Sequence, residues 1–356
     1  MVKYIIASVS TELKLERRCP HCHRPNGNIH SAIRYRCISD IKVHAIAQRR
    51  MKCPWCKTTW TIRTEGLSHG RQRSDRLISF GIFLYMLGPS YRDVVKCLKM
   101  LGCRGSKSSI ERDVAAAGRK AKVLHLQGPR TRVRVLGVDG TGAKIAGDHK
   151  QGMLFFTDIE QNKLICVEPV NEKDARKVRE HVLRVMREVG AEQLRTDELS
   201  VYEHIVPQEH HSICLAHWRK SKCRRARQLY VQLKKEGMDF EAGDMLKLLE
   251  LLRQEPRPPT LPEAVEKLVR RYINCRKGTL WKVNQLLQHI ERTWVRISSD
   301  EGDRTNNATE RIIGLNYKIR AKTMRGFKNI DKSVGHCYLS EFLRGNEGVC
   351  DLRKVV

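Results

Sequence analysis

The stretch RVRVLGVDG at residues 132–140 alternates toward apolar side chains and closes on Asp139. That pattern marks a strand feeding a buried sheet. Two further runs, GMLFFTDI at 152–159 and KLICVEPV at 163–170, are rich in β-branched and aromatic residues. Three such strands in succession read as an antiparallel meander. Asn171 then stands as a helix cap, with Asp174 in the first turn, and Val178, Val182, Val185, Met186 and Val189 recur on one helical face. Residues 191–196 read as a short fourth strand that delivers Asp197, and 211–214 as a fifth. A helix between strands lets the fourth lie parallel to the first. Asp139 and Asp197 are then expected to face each other across neighbouring strands of a mixed α/β sheet flanked by helices.

Upstream, Cys19-Pro-His-Cys22 and Cys53-Pro-Trp-Cys56 are separated by thirty residues. Each Cys-x-x-Cys turn offers two thiolates, and two turns close a tetrahedron around one structural zinc ion with no open position. His21, His23 and Cys37 remain as alternative ligands. Arg49, Arg50, Lys52 and Lys57 lie close to the second pair in sequence. Between this ribbon and the first core strand, residues 74–87 read as a helix. Ser90 with Asp93 reads as a second helix start, carrying Val94, Leu98 and Leu101. Gly102 and Gly105 supply a turn, and Ser108 with Glu111 reads as a capping box opening a third helix toward Lys120. Two helices joined by a glycine turn match a helix-turn-helix, whose second helix would enter the DNA major groove. Lys107, Ser109 and Arg112 are the expected DNA contacts there. A small helical packing module is the alternative.

Downstream, 112 residues separate Asp197 from Glu310, far more than a core sheet needs. The intervening stretch is helical and basic at its start (Arg219, Lys220, Lys222, Arg224, Arg225, Arg227), with amphipathic runs at 242–253 and 262–273 and a proline-rich break at 254–262. Trp281 and Trp294 are expected in its core rather than stacked on bases. The segments are therefore 1–66 zinc ribbon, 67–128 helix-turn-helix, 129–217 first part of the core, 218–294 helical insertion, 295–345 second part of the core, and 346–356 tail.

The chain has 356 residues, with 68 basic and 39 acidic side chains and a net charge of +29. Basic residues spread along the whole length favour a long polyanion over a basic tail. The longest apolar run, 77–87, is shorter than the ~20 residues of a bilayer span. With thirteen cysteines and no signal peptide, the expected setting is a reducing, nucleoid-associated cytoplasm, with no membrane partner.

The order of three strands, helix, strand, helix, strand is similar to the RNase H-like fold. Asp139 in Val-Asp-Gly-Thr, Asp197 in Arg-Thr-Asp-Glu, and Glu310 in Asn306-Asn-Ala-Thr-Glu310-Arg resemble the acidic triad of DDE transposases. Cys214-Leu-Ala-His217, Lys318-Ile-Arg320 and Met324-Arg-Gly-Phe-Lys328 are also similar to bacterial and archaeal insertion-sequence and Mutator-type enzymes. The resemblance covers about residues 130–345. It implies that Asp139, Asp197 and Glu310 hold two Mg2+ (or Mn2+) ions, with a C-x-x-H element of local structural role at Cys214 and His217. The basic residues Lys318, Arg320, Arg325 and Lys328 would track phosphates of double-stranded DNA. It further implies cleavage by water, strand transfer by the freed 3′-hydroxyl of an element end, and a homodimer or larger synaptic complex. Asp158 and Glu198 stand as rivals for the carboxylate positions. A DNA-binding regulator that keeps the fold without catalysis, and a structure-selective nuclease, are the competing functions.

Overall fold

The computed structural model describes residues 2–129, 132–143, 145, 151–254, 260–294, 296–297, 306–324, 326–344 and 348–356. The chain is mixed α/β and divides into two compact units. One comprises Met1–Gly128, Lys144–Gly147 and Leu315–Val356; the other comprises Pro129–Ala143 and Asp148–Gly314.

The first unit opens with β1 (Lys3–Ile5), followed by β2 (Asn28–Ile29), β3 (Arg34–Cys37), β4 (Ala45–Lys52) and β5 (Thr59–Arg63). Strands β2, β3 and β5 all pair antiparallel with β4. Ile46 and Met51 of β4 are fully buried. Three helices follow: α1 (Asp75–Met86), α2 (Tyr91–Met100) and α3 (Lys107–Gln127). Ser74 and Ser90 cap the first two, each accepting a backbone N–H three residues on. Burial would raise the Asp40 carboxyl, but Arg76 and the Ser74 hydroxyl hold it well below the usual carboxylate range. This pairing ties the sheet to the start of α1. The third helix starts two residues earlier than its sequence pattern suggests. Ser106, not Ser108, is the cap, because its Oγ accepts the Ser109 N–H at 3.2 Å and satisfies a first-turn donor. Gly102 makes the turn before it with a positive φ of 71°.

In the second unit, β6 (Val135–Gly142), β7 (Gly152–Asp158), β8 (Lys163–Glu168), α4 (Ala175–Val189), β9 (Gln193–Thr196) and β10 (His211–Ile213) follow in turn. They build a five-stranded sheet of order β10-β9-β6-β7-β8. The meander β6-β7-β8 is antiparallel, and β9 and β10 are parallel to their neighbours. The apolar stripe foreseen on α4 is buried, and Gly190 ends the helix in the left-handed conformation. Asp174 rather than Asn171 is its cap, accepting the Lys177 N–H at 3.2 Å, while Asn171 caps the preceding turn at Lys173.

Helices α5 (Leu215–Lys235), α6 (Asp239–Arg253), α7 (Leu261–Tyr272) and α8 (Gly278–Trp294) share one apolar core around Trp218, Leu233, Met245 and Leu287. Trp294 packs edge-on against Trp218, whereas Trp281 is 44% exposed. The short α9 (Asn307–Ile313) then returns to the sheet. Gly137 of β6 makes room for it, since a Cβ there would lie 2.5 Å from Thr309 Oγ1.

Beyond Gly314 the chain rejoins the first unit with α10 (Ile319–Thr323), α11 (Ile330–Arg344) and β11 (Val349–Asp351). Helix α11 lies along α3, with Gly118 close enough that a Cβ would meet the Gly335 carbonyl at 2.8 Å. The stretch read as a tail forms β11, which pairs in parallel with β1. Among the described residues, no helix is long and apolar enough to cross a membrane.

Candidate metal centres

Parallel pairing of β6 with β9 aligns Gly137 with Arg195. Asp139 stands two residues further along β6 and Asp197 directly follows the last residue of β9, so the parallel pairing brings the two aspartates to matching levels. Glu172, in the turn between β8 and α4, joins them. One carboxylate oxygen from each of Asp139, Glu172 and Asp197 lies within 4.8 Å of the others. Two features hold Glu172 there. Its carboxylate accepts the hydroxyl of buried Tyr202, and Gly140 leaves the space: a Cβ at that position would strike the Glu172 carboxyl at 2.5–2.8 Å.

The electrostatics match a crowded set of acids. Burial, with Glu172 and Glu198 nearby, pushes Asp197 up to about 6, against the Leu199 N–H and His217 that favour its charge. Like charges gathered in a partly desolvated place favour protonation until a cation neutralises them. Oxygens sharing one octahedral magnesium ion lie about 3 to 4.2 Å apart. The three carboxylates, all within 4.8 Å of one another, could hold a divalent ion.

Asp197 is the cluster member and Glu198 is not. Glu198 turns away to Lys222 and to His289 Nε2 at 2.8 Å, an interior ion pair between strand end and helical insertion. Asp158 is also removed from contention. It is buried, and its Oδ1 caps the β7–β8 turn by accepting the N–H groups of Glu160 and Gln161.

Glu310 stands outside the three-acid group. Its Oε1 lies 2.7 Å from His217 Nε2. The Cys214 thiol next to the ring, then the charges of Glu310 and Asp139, raise His217 to about 9 despite burial. Cys214 Sγ accepts the Asn306 N–H at 3.1 Å. No protein-family model matches the chain, and no curated protein is significantly similar to it.

In the first unit, Cys19, Cys22, Cys53 and Cys56 converge, again with one ligand atom each within 4.8 Å. The two turns are built alike. The Cys19 carbonyl accepts the His23 N–H and the Cys19 N–H donates to the Arg24 carbonyl; the Cys53 carbonyl accepts the Lys57 N–H and the Cys53 N–H donates to the Thr58 carbonyl. His23 and Lys57, at equivalent positions, both take positive φ (56° and 62°). Sγ separations of 3.6 Å (Cys19–Cys56 and Cys22–Cys53) are close to the ~3.8 Å edge of a tetrahedron with 2.3 Å zinc–sulfur bonds. The Thr58 hydroxyl and N–H bring Cys56 down to about 5, favouring its thiolate, whereas, against the Arg24 N–H, burial and the neighbouring cysteines push Cys22 up to about 11. These four cysteines could bind a metal such as zinc. Cys37 is exposed at the end of β3, and neither it nor His21 or His23 belongs to the cluster.

The residues singled out for DNA have varied settings. Lys107, Arg112 and Lys318 are exposed, and Arg112 Nε donates to the Ser108 carbonyl on its own helix. Ser109 is half-buried against its cap Ser106. Lys328 pairs with Glu111 at 3.1 Å while remaining largely exposed. Arg320 differs from expectation. It is buried, donates to the Gly88 and Pro89 carbonyls, and lies 4.2 Å over the Tyr85 ring, so its guanidinium serves the interior of the unit rather than a phosphate. Arg325 lies outside the described residues.

Glu172 was missed because nothing in its neighbourhood separates it from other acids near strand ends. Its selection depends on Gly140 and Tyr202, both remote in sequence. Glycine directly after Asp139 was the one available hint of a close approach.

Proposed function

We propose that this chain is a DNA transposase with an RNase H-like core that cuts and joins DNA strands using divalent cations. The observation that carries the reading is the acidic centre: Asp139 on β6 and Asp197 just past the end of the parallel neighbour β9, with Glu172 beside them, in a chain of net charge +29. The sheet order β10-β9-β6-β7-β8, with one antiparallel meander and two parallel additions, supports the fold assignment. Asp139, Asp197 and Glu172 would hold the cations. Glu310 would complete the set from α9, which packs on the side of β6 that Gly137 leaves open. Gly137 and Asp139 share that side by the two-residue period of a strand. Two magnesium or manganese ions held there would supply activation of the attacking oxygen and stabilisation of the leaving one.

The chain's own residues supply the rest. The four-cysteine element is read as a structural zinc ribbon, and α2 with α3 as a helix-turn-helix whose exposed Lys107 and Arg112 would contact DNA. Lys318 and Lys328 would neutralise phosphates without reading sequence. The helical insertion, tied to the strand end through Glu198, Lys222 and His289, would grip flanking DNA. A synaptic homodimer or larger complex follows from the need to hold two element ends.

One observation favours a second reading, a DNA-binding regulator without catalysis: Glu310 lies outside the acid cluster. Incubating the protein with supercoiled plasmid and Mg2+ or Mn2+ separates the two. The transposase reading expects cation-dependent nicking that falls at least a thousandfold, to background, in Asp139→Asn and Asp197→Asn. DNA binding without nicking in any divalent cation would leave the regulator instead.

A further inference from the structure

The Cys214-x-x-His217 element has no part in either metal centre, yet it touches the helix that bears Glu310 at two places. Cys214 caps α5, and its Sγ accepts the Asn306 N–H at 3.1 Å. One turn further along α5, His217 Nε2 lies 2.7 Å from Glu310 Oε1. Asn306 caps α9, and Glu310 is one turn further along that helix. Three residues on one helix and four on the other both return a side chain to the same face. The first turns of the two helices therefore meet at both points, and the spacings C-x-x-H and N-x-x-x-E are complementary.

Both ends of this contact are fastened to the acidic centre. The Cys214 N–H donates to the carbonyl of Thr196, the residue before Asp197, at 2.8 Å. Asn306 Nδ2 donates to the carbonyl of Val138, the residue before Asp139, at 3.1 Å. Thr309 closes the set, with hydroxyl contacts to Asn306 and Thr157 at 2.5 Å each.

We propose that Cys214 and His217 form a two-point clasp that positions Glu310 relative to Asp139 and Asp197, a deepening that rests on the acidic-centre reading above. His217 engages one carboxylate oxygen of Glu310 and fixes the side-chain torsions. The second oxygen keeps its lone pairs for a cation. Partners that orient a ligand in this way are commonly worth ten- to a hundredfold in metal affinity. His217 is then a positioning residue, acting through Glu310.

Mn2+ binding to the full chain, measured by titration calorimetry without DNA, tests this. The variants are His217→Ala, His217→Gln, Glu310→Gln and the double variant His217→Ala/Glu310→Gln. The clasp predicts that His217→Ala weakens Mn2+ about tenfold. His217→Gln, whose side-chain amide can still donate, should recover most of that loss. The double variant should bind no more weakly than Glu310→Gln alone. Wild-type affinity in His217→Ala, or an equal further loss in the Glu310→Gln background, would overturn it. So would a wild-type chain that binds no Mn2+. A wild type that binds Mn2+ with this pattern but never cuts DNA would sink the transposase reading and leave the clasp standing.

Discussion

At the scale of single residues, adjacent acids have opposite duties. Asp197 belongs to the acid cluster, while Glu198 is held by Lys222 and His289. Glu198→Ala should leave Mn2+ affinity within about threefold but cost about 3 kcal/mol or more, since it strands a buried lysine; denaturant melts check the second effect and calorimetry the first. Gly140→Ala should do the reverse, displacing the Glu172 carboxyl and weakening Mn2+ about tenfold with a small stability change. The shift at Asp197 also has a sign. Its folded value near 6 exceeds an unfolded value near 4, so the metal-free fold retains that proton more strongly and loses the associated stability as pH rises through about 6. A cation must displace the same proton. Mn2+ affinity should therefore fall about tenfold per pH unit below 6 and level off above about 7, as titrations from pH 5 to 8 would read out. A profile flat from pH 5 upward would contradict the raised value at Asp197.

At the scale of elements, what was legible was local. The alternation in 132–140 and the stripe on α4 are short-range patterns, and both elements formed where they pointed. Competition between neighbouring caps was harder: Ser106 and Ser108 both precede helical sequence, and Ser106 is the cap because its hydroxyl accepts the first-turn N–H of Ser109. The docking of α11 on α3 through Gly118 and Gly335, and the pairing of β1 with β11, join residues far apart in the chain and carry no local signature. Of the candidate site, the aspartates were readable because strand register is periodic, whereas Glu172 needed the fold. Arg320 looked like a phosphate ligand by its basic neighbours, but Tyr85 and two carbonyls claim it. The four-cysteine element yields a direct test. Cys53→Ser should lower bound zinc from about one ion per chain to near none by atomic emission, and a chelator should lower the wild-type melting temperature. In the insertion, Trp218→Ala should cost about 3–5 kcal/mol by emptying the centre of its core.

At the scale of the whole molecule, charge and chain order matter most. The unit bearing the acidic centre is inserted between the N-terminal elements and α10–β11, which together make the other unit. A net charge of +29 predicts DNA affinity that falls steeply with salt, the slope reporting the number of phosphates neutralised. Lys107→Glu or Arg112→Glu should each reduce that slope by about one, whereas Arg320→Ala should chiefly lower stability. The most direct measurement is diffraction from Mn2+-soaked crystals at a wavelength where manganese scatters anomalously. The account predicts at least one strong peak within about 2.5 Å of carboxylate oxygens from both Asp139 and Asp197, absent in Asp139→Asn crystals. Well-ordered carboxylates with no peak between them at millimolar Mn2+ would contradict it.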